Sequence, residues 1–188
     1  MYNRKQLKLE AKNSLNQNFG IAIGTLLVYG LIMVVAAYVP FASIILAGVF
    51  ATGMAMVMLN IVRGNTVKFT DLFKGFENFS PTCLAGVLST VYVFLWTLLF
   101  FIPGIVKSYS YAMTYYILVD HPEMTANEAI TASRNMMRGH KADLFVLQLS
   151  FIGWYLLSFI TFGIAMIYAA PYMSAATAKF YDAIKGEN

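Results

Sequence analysis

Phe19–Val39 reads FGIAIGTLLVYGLIMVVAAYV; Pro40 follows, and then Phe41–Val62, FASIILAGVFATGMAMVMLNIV. The first run has 21 residues and no charge. At about 1.5 Å per residue, a helix of that length crosses a hydrocarbon core of about 30 Å. The second run carries one strongly polar side chain, Asn60, near its end. Pro40 interrupts the pair, so the stretch predicts two apolar helices folded back on each other. The first run is longer than the apolar region of a signal peptide and is followed at once by another, so it reads as an uncleaved anchor.

The same pattern continues outward. Thr82–Ile102, Gly104–Val119, Leu144–Phe162 and Ile164–Tyr181 are further apolar runs, with Pro103-Gly104 and Gly163 as their turns. Lys and Arg fall in four groups between them: Arg4, Lys5, Lys8, Lys12; Arg63, Lys68, Lys74; Arg134, Arg138, Lys141; and Lys179, Lys185. Positively charged loops stay in the cytoplasm, which requires an even number of crossings between successive groups. Three helical hairpins satisfy this, with both termini cytoplasmic and every basic residue except Lys107 on the inner side. The fold class expected is all-α: one polytopic helical membrane domain over residues 1–188, with six spans at 19–39, 41–62, 82–102, 104–119, 144–162 and 164–181. Residues 104–119 cover only about 24 Å as a helix. A four-span arrangement with Ile105–Val119 on the cytoplasmic surface therefore stands as the alternative.

Composition excludes other classes. Of 188 residues, 59% are hydrophobic and 12% charged, against about 25% charged in an ordinary soluble domain. The net charge of +4 comes from a shortage of acids, and the basic residues sit at the ends of apolar runs, so nucleic acid is not an expected partner. A lone cysteine, Cys83, allows no internal disulfide and no multi-cysteine metal site.

A polar segment precedes each hairpin. Residues 3–18 start with Asn3 as a candidate N-cap and place Leu7, Ala11 and Leu15 on one face. Residues 66–79 place Phe69, Leu72, Phe73, Phe76 and Phe79 opposite Lys68, Asp71 and Glu77. Residues 125–138 open with the capping box Thr125-Ala126-Asn127-Glu128, carry Ala129, Ile130, Met136 and Met137, and stop at Gly139. All three read as interfacial helices with apolar faces at the headgroups. They either anchor the loops or form a cytoplasmic docking surface for a protein partner. The second run of each hairpin is rich in small or hydroxylic residues, such as Gly48 and Gly53, Ser108 and Ser110, and Ala175 and Ala176. Small side chains let helices approach closely in lipid, so spans two, four and six are expected to meet inside, with one, three and five outside.

Lys107 is the sharpest candidate site residue. A charge inside a span is costly and often functional, although a lysine one turn from a bend can also snorkel to the headgroups. Helical spacing puts Lys107, Tyr111, Thr114 and Tyr115 on one face and, with Ser108, forms a polar intramembrane strip suited to an anion or a lipid headgroup. His121 with Asp120 and Glu123, and His140 with Asp143, lack the spacing of a metal site and read as solvated loop residues. Gly20 and Gly24 form a GxxxG pattern near the inner end of the first span. No phosphate-binding glycine loop, nucleophile triad or intramembrane carboxylate is present, so no catalytic residue, cofactor or metal is expected.

The block PGIVKSYSY at 103–111 continues through Tyr116-Ile117-Leu118, Met124–Ile130, Ser133-Arg134, Met137–Lys141, Phe151–Trp154 and Pro171-Tyr172. With Leu7–Lys12, these residues resemble the domain of unknown function 975 family of bacterial integral membrane proteins. The resemblance implies a multi-span protein of the bacterial cell membrane, distantly similar to the membrane region attached to some glycerophosphodiester phosphodiesterases, and it carries over no catalytic residue. Ala165 stands where the pattern has a second glycine after Gly163.

The expected function is a non-enzymatic membrane component that binds a lipid or a protein partner in a regulatory, homeostatic or protective role. A small-solute or ion pathway along the strip starting at Lys107 is the alternative, and an enzyme acting on a lipid comes third. The lipid bilayer is the expected partner, and homo-oligomerisation is left open.

Overall fold

A computed structural model describes residues 4–39, 42–99 and 101–186. Among the described residues the chain is helical throughout, with no strand. The helices are α1 (Arg4–Gln17), α2 (Phe19–Ala36), α3 (Ala42–Arg63), α4 (Phe79–Leu99), α5 (Phe101–Tyr111), α6 (Thr114–Asp120), α7 (Ala126–Met136), α8 (Lys141–Leu149), α9 (Ile152–Ile160) and α10 (Ile164–Lys185). A 3-10 segment, Phe69–Phe76, lies between α3 and α4. Among the described residues, four stretches are long and apolar enough to cross a membrane: Phe19–Ala36, Ala42–Arg63, Phe79–Leu98 and Lys141–Ile160. The fourth and sixth expected spans are not among them.

The fourth departs for a clear reason. The helix expected over 104–119 is divided into α5 and α6 at Ala112-Met113. In an apolar setting the backbone groups freed by such a break need internal partners. Ser133 of α7, fully buried, supplies one: its hydroxyl donates to the Ser110 carbonyl at 2.9 Å and accepts from the Met113 N–H at 3.2 Å. The turn expected at Pro103-Gly104 lies earlier as well. Both residues fall within the first turn of α5, where a proline's missing N–H goes unnoticed, and a Cβ on Gly104 would collide with Thr97 of α4.

The fifth expected span is also divided, into α8 and α9 at Ser150-Phe151. Lys8 of α1 donates to the Ser150 carbonyl at 3.3 Å and to its hydroxyl at 3.1 Å, and lies 4.3 Å from the centre of the Phe151 ring. Gly163 turns α9 into α10 with φ of +91°, a conformation that costs glycine little. The Ala165 N–H donates to the Thr161 hydroxyl at 3.1 Å. Pro40, the expected first turn, and Asn3, the expected cap, lie outside the described residues.

Each of the three polar segments packs part of its surface on the rest of the protein. Leu7, Ala11 and Leu15 of α1 are buried, largely against α10. In α7, Thr125 and Glu128 form the expected capping box, and Ala126, Ala129, Ile130 and Ser133 are buried against α4, α5 and α6. In the 3-10 segment Leu72 is buried and Lys68 and Glu77 are exposed, as expected, and Asp71 is the residue that departs. Asp71 is buried, while Phe69, Phe73, Phe76 and Phe79 are exposed. Gly75 and Leu72 meet the α3 backbone so closely that a Cβ on Gly75 would strike Val49, and one on Gly53 would strike Leu72. Asp71 then turns inward, accepting from the Lys68 N–H at 3.0 Å, with Lys74 at 3.4 Å.

Burial separates the helix ends away from the turns from the turns themselves. Val57–Leu59, Ile61 and Val62 of α3, Ile117 and Leu118 of α6, and Ala175, Ala176, Phe180 and Tyr181 of α10 are buried. Large apolar residues near the turns are open: Val34, Val35 and Tyr38 by the first, Leu98 and Ile102 by the second, Phe159 and Phe162 by the third. At the ends away from the turns α3 packs on both α6 and α10, and along its length it also packs extensively on α4.

Candidate functional site

Two polar clusters emerge from this packing. The first joins the C-terminal ends of α3, α6 and α10. Arg63 donates to both oxygens of Asp120, at 2.7 and 2.9 Å, and reaches Asp182 at 2.6 Å. Asp120 also accepts from Lys185 at 2.7 Å and from the Tyr181 hydroxyl at 2.9 Å, and the Tyr181 ring stacks on Tyr116 with centroids 5.4 Å apart. Burial pushes the Asp120 carboxyl up, but the hydrogen bonds from Arg63, Lys185 and Tyr181, with the Arg63 charge, hold it well below the usual carboxylate range. Cations also suit the negative ends of helix dipoles, which here belong to α3 and α10. Two acids face two bases, and the cluster is neutral and closed. Asp120 is therefore not a solvated loop residue.

The second cluster is open. Lys107 of α5 and Arg134 of α7 line one cavity of about 300 Å³, together with Tyr92 and Trp96 of α4, Tyr111 of α5 and Asn127 of α7. The Lys107 ammonium lies 4.5 Å from the Trp96 ring centre, within the range of a cation–π contact. Among the described residues no carboxylate lines the cavity. Two cations from segments remote in sequence thus share a wall of hydroxyl, amide and indole groups, an arrangement that attracts an anion.

The strip read from the sequence is only partly assembled. Lys107 and Tyr111 line this cavity, while Ser108 and Tyr111 line a neighbouring groove of about 460 Å³ on α4 and α5. The break at Ala112-Met113 removes Thr114 and Tyr115 from the strip. Thr114 is fully buried and its hydroxyl has no hydrogen-bond partner; Tyr115 is half-buried and lines neither space. Lys107 also lies beside α7, a segment whose charges the sequence assigns to the inner side, rather than standing alone near an outer turn. Arg134 is the residue sequence reasoning missed. Its place on α7 was legible from the capping box, but its approach to Lys107 depends on how α7 packs.

The remaining candidates stay apart. His121 pairs with Glu123 at 3.3 Å and His140 with Asp143 at 3.8 Å, at separate places. No group of three or more His, Cys, Asp or Glu side chains converges among the described residues. A Cβ on Gly20 or Gly24 would meet nothing, so the GxxxG pattern makes no close approach within the chain.

No curated protein and no solved structure matches the chain. One family model, described as "Protein of unknown function (DUF975)", matches residues 1–107 and 98–188. The two stretches overlap across the α4–α5 turn and together cover the whole sequence, including both polar clusters, and on that match the chain belongs to the DUF975 family.

Proposed function

We propose that the chain is a multi-span cell-membrane protein without enzymatic activity, and that it binds an anionic group at the Lys107–Arg134 cavity in a regulatory, homeostatic or protective role. The observation that carries the reading is the convergence of two cations, on α5 and α7, on an open cavity that no carboxylate of the described residues lines. In the apolar surroundings of α4 and α5 an uncompensated cation is costly, and a bound anion would offset that cost. The four long apolar stretches support the membrane setting, with the basic segments on the cytoplasmic side.

Trp96 reports on the site directly. In a Trp154→Phe background, orthophosphate titration in mild detergent should change Trp96 emission saturably, and Lys107→Gln should weaken that response. A flat titration would count against the reading. A small-solute or ion pathway remains the second reading, favoured by the unpartnered buried hydroxyls of Ser89 and Thr114. Anion flux into liposomes that is unchanged by Lys107→Leu would remove its basis.

A further inference from the structure

The cationic cavity and the groove beside it are contiguous in one respect: both are lined by Tyr111. On one side of that ring stand Lys107, Arg134 and Asn127. On the other, the groove runs along Thr90, Val93 and Phe94 of α4 and is walled chiefly by carbon. Its volume, like the cavity's, falls in the roughly 300–1,000 Å³ range of small-molecule sites. Phe94, which lines the groove, is exposed, on the part of the hairpin that would face hydrocarbon. A polar, doubly cationic compartment joined to an apolar one has the chemistry of a single amphiphile: phosphate at one end, an alkyl chain at the other.

We infer that the two spaces are the headgroup and acyl-chain subsites of one binding site for an anionic phospholipid, divided by Tyr111. The inference deepens the anion-binding reading and rests on it. A free phosphate would satisfy Lys107 and Arg134 equally well, but it would leave the groove without a role.

The test uses the full chain with Trp154→Phe, in nanodiscs of unbrominated phosphatidylcholine carrying a small fraction of phosphatidylglycerol or phosphatidylcholine with brominated acyl chains. Brominated phosphatidylglycerol should quench Trp96 more strongly than brominated phosphatidylcholine at equal fraction. Removing one cation by Lys107→Gln or Arg134→Gln should reduce that selectivity about fivefold. Equal quenching by the two lipids, alongside a charge-dependent response to orthophosphate, would overturn the lipid inference and leave the anion reading standing. Equal quenching with no response to orthophosphate would overturn both. Native mass spectrometry of the unsubstituted chain from mixed nanodiscs gives a second reading, with retained phosphatidylglycerol expected and indiscriminate retention contradicting the inference.

Discussion

The two polar clusters are built from the same kinds of side chain and end in opposite states. At the ends of α3, α6 and α10, Asp120 sits among Arg63, Lys185 and Tyr181, and Arg63 also holds Asp182. Every charge there has an opposite partner, and the arrangement ties three helices together. At the meeting of α4, α5 and α7, Lys107 and Arg134 line a cavity with no acid among the described residues of its wall. The difference separates a structural cluster from a binding one. Compensated charge fixes helices in place, whereas uncompensated charge beside open space leaves an interaction for a ligand to complete.

Substitutions should affect the two clusters in opposite ways. The largest loss of stability is expected for Asp120→Asn, which leaves Arg63 and Lys185 short of a counter-charge. Breaking a fully buried pair costs about 3–5 kcal/mol. Because Arg63 and Lys185 are partly exposed, about 2–3 kcal/mol is expected here, read as a drop in thermal unfolding temperature in detergent. The pH dependence has a definite sign. The folded-state Asp120 carboxyl lies below its ordinary range, so its contribution is complete above about pH 4 and is lost as pH falls further. Asp120→Asn should therefore flatten the acid limb of the stability profile and leave its slope near neutrality unchanged.

Gly53→Ala or Gly75→Ala comes next. Either Cβ would press on backbone across the contact between α3 and the 3-10 segment, and overpacking of this kind costs about 1–3 kcal/mol. Faster proteolysis within residues 64–79 would register the loosened segment. Ser133→Ala should cost about 1–2 kcal/mol, since the Met113 N–H and Ser110 carbonyl lose a buried partner. Faster amide exchange at Met113 is the signature of that loss. The smallest stability effect, within about 0.5 kcal/mol, is expected for Arg134→Gln, an exposed residue whose removal should nevertheless weaken anion binding.

Much of the helical frame was legible in the sequence. The long apolar runs, the Thr125–Glu128 capping box and the Gly163 turn follow from local spacing or residue size, whereas the small residues Gly48 and Gly53 make their close approaches to α4 and the 3-10 segment rather than to α6 and α10. The departures have tertiary causes. Neither proline nor glycine marks the break at Ala112-Met113; Ser133, some 20 residues later, stitches it. Asp120 looked solvated because Arg63 and Lys185 lie 57 and 65 positions away. Asp71 turned inward because 3-10 geometry and the glycine contacts with α3 replaced the expected helical period. Half of the candidate site was visible as Lys107, Ser108 and Tyr111; Arg134 required the packing of α7.

Thermal unfolding of three proteins in phosphatidylcholine nanodiscs, with and without phosphatidylglycerol, tests the contrast between the clusters most directly. Without phosphatidylglycerol, Lys107→Gln should unfold close to the unsubstituted chain, and Asp120→Asn well below it. With phosphatidylglycerol, the unsubstituted chain and Asp120→Asn should both gain stability, and Lys107→Gln should gain little. A Lys107→Gln protein that unfolds as early as Asp120→Asn, or that keeps the full stabilisation by phosphatidylglycerol, would contradict the account.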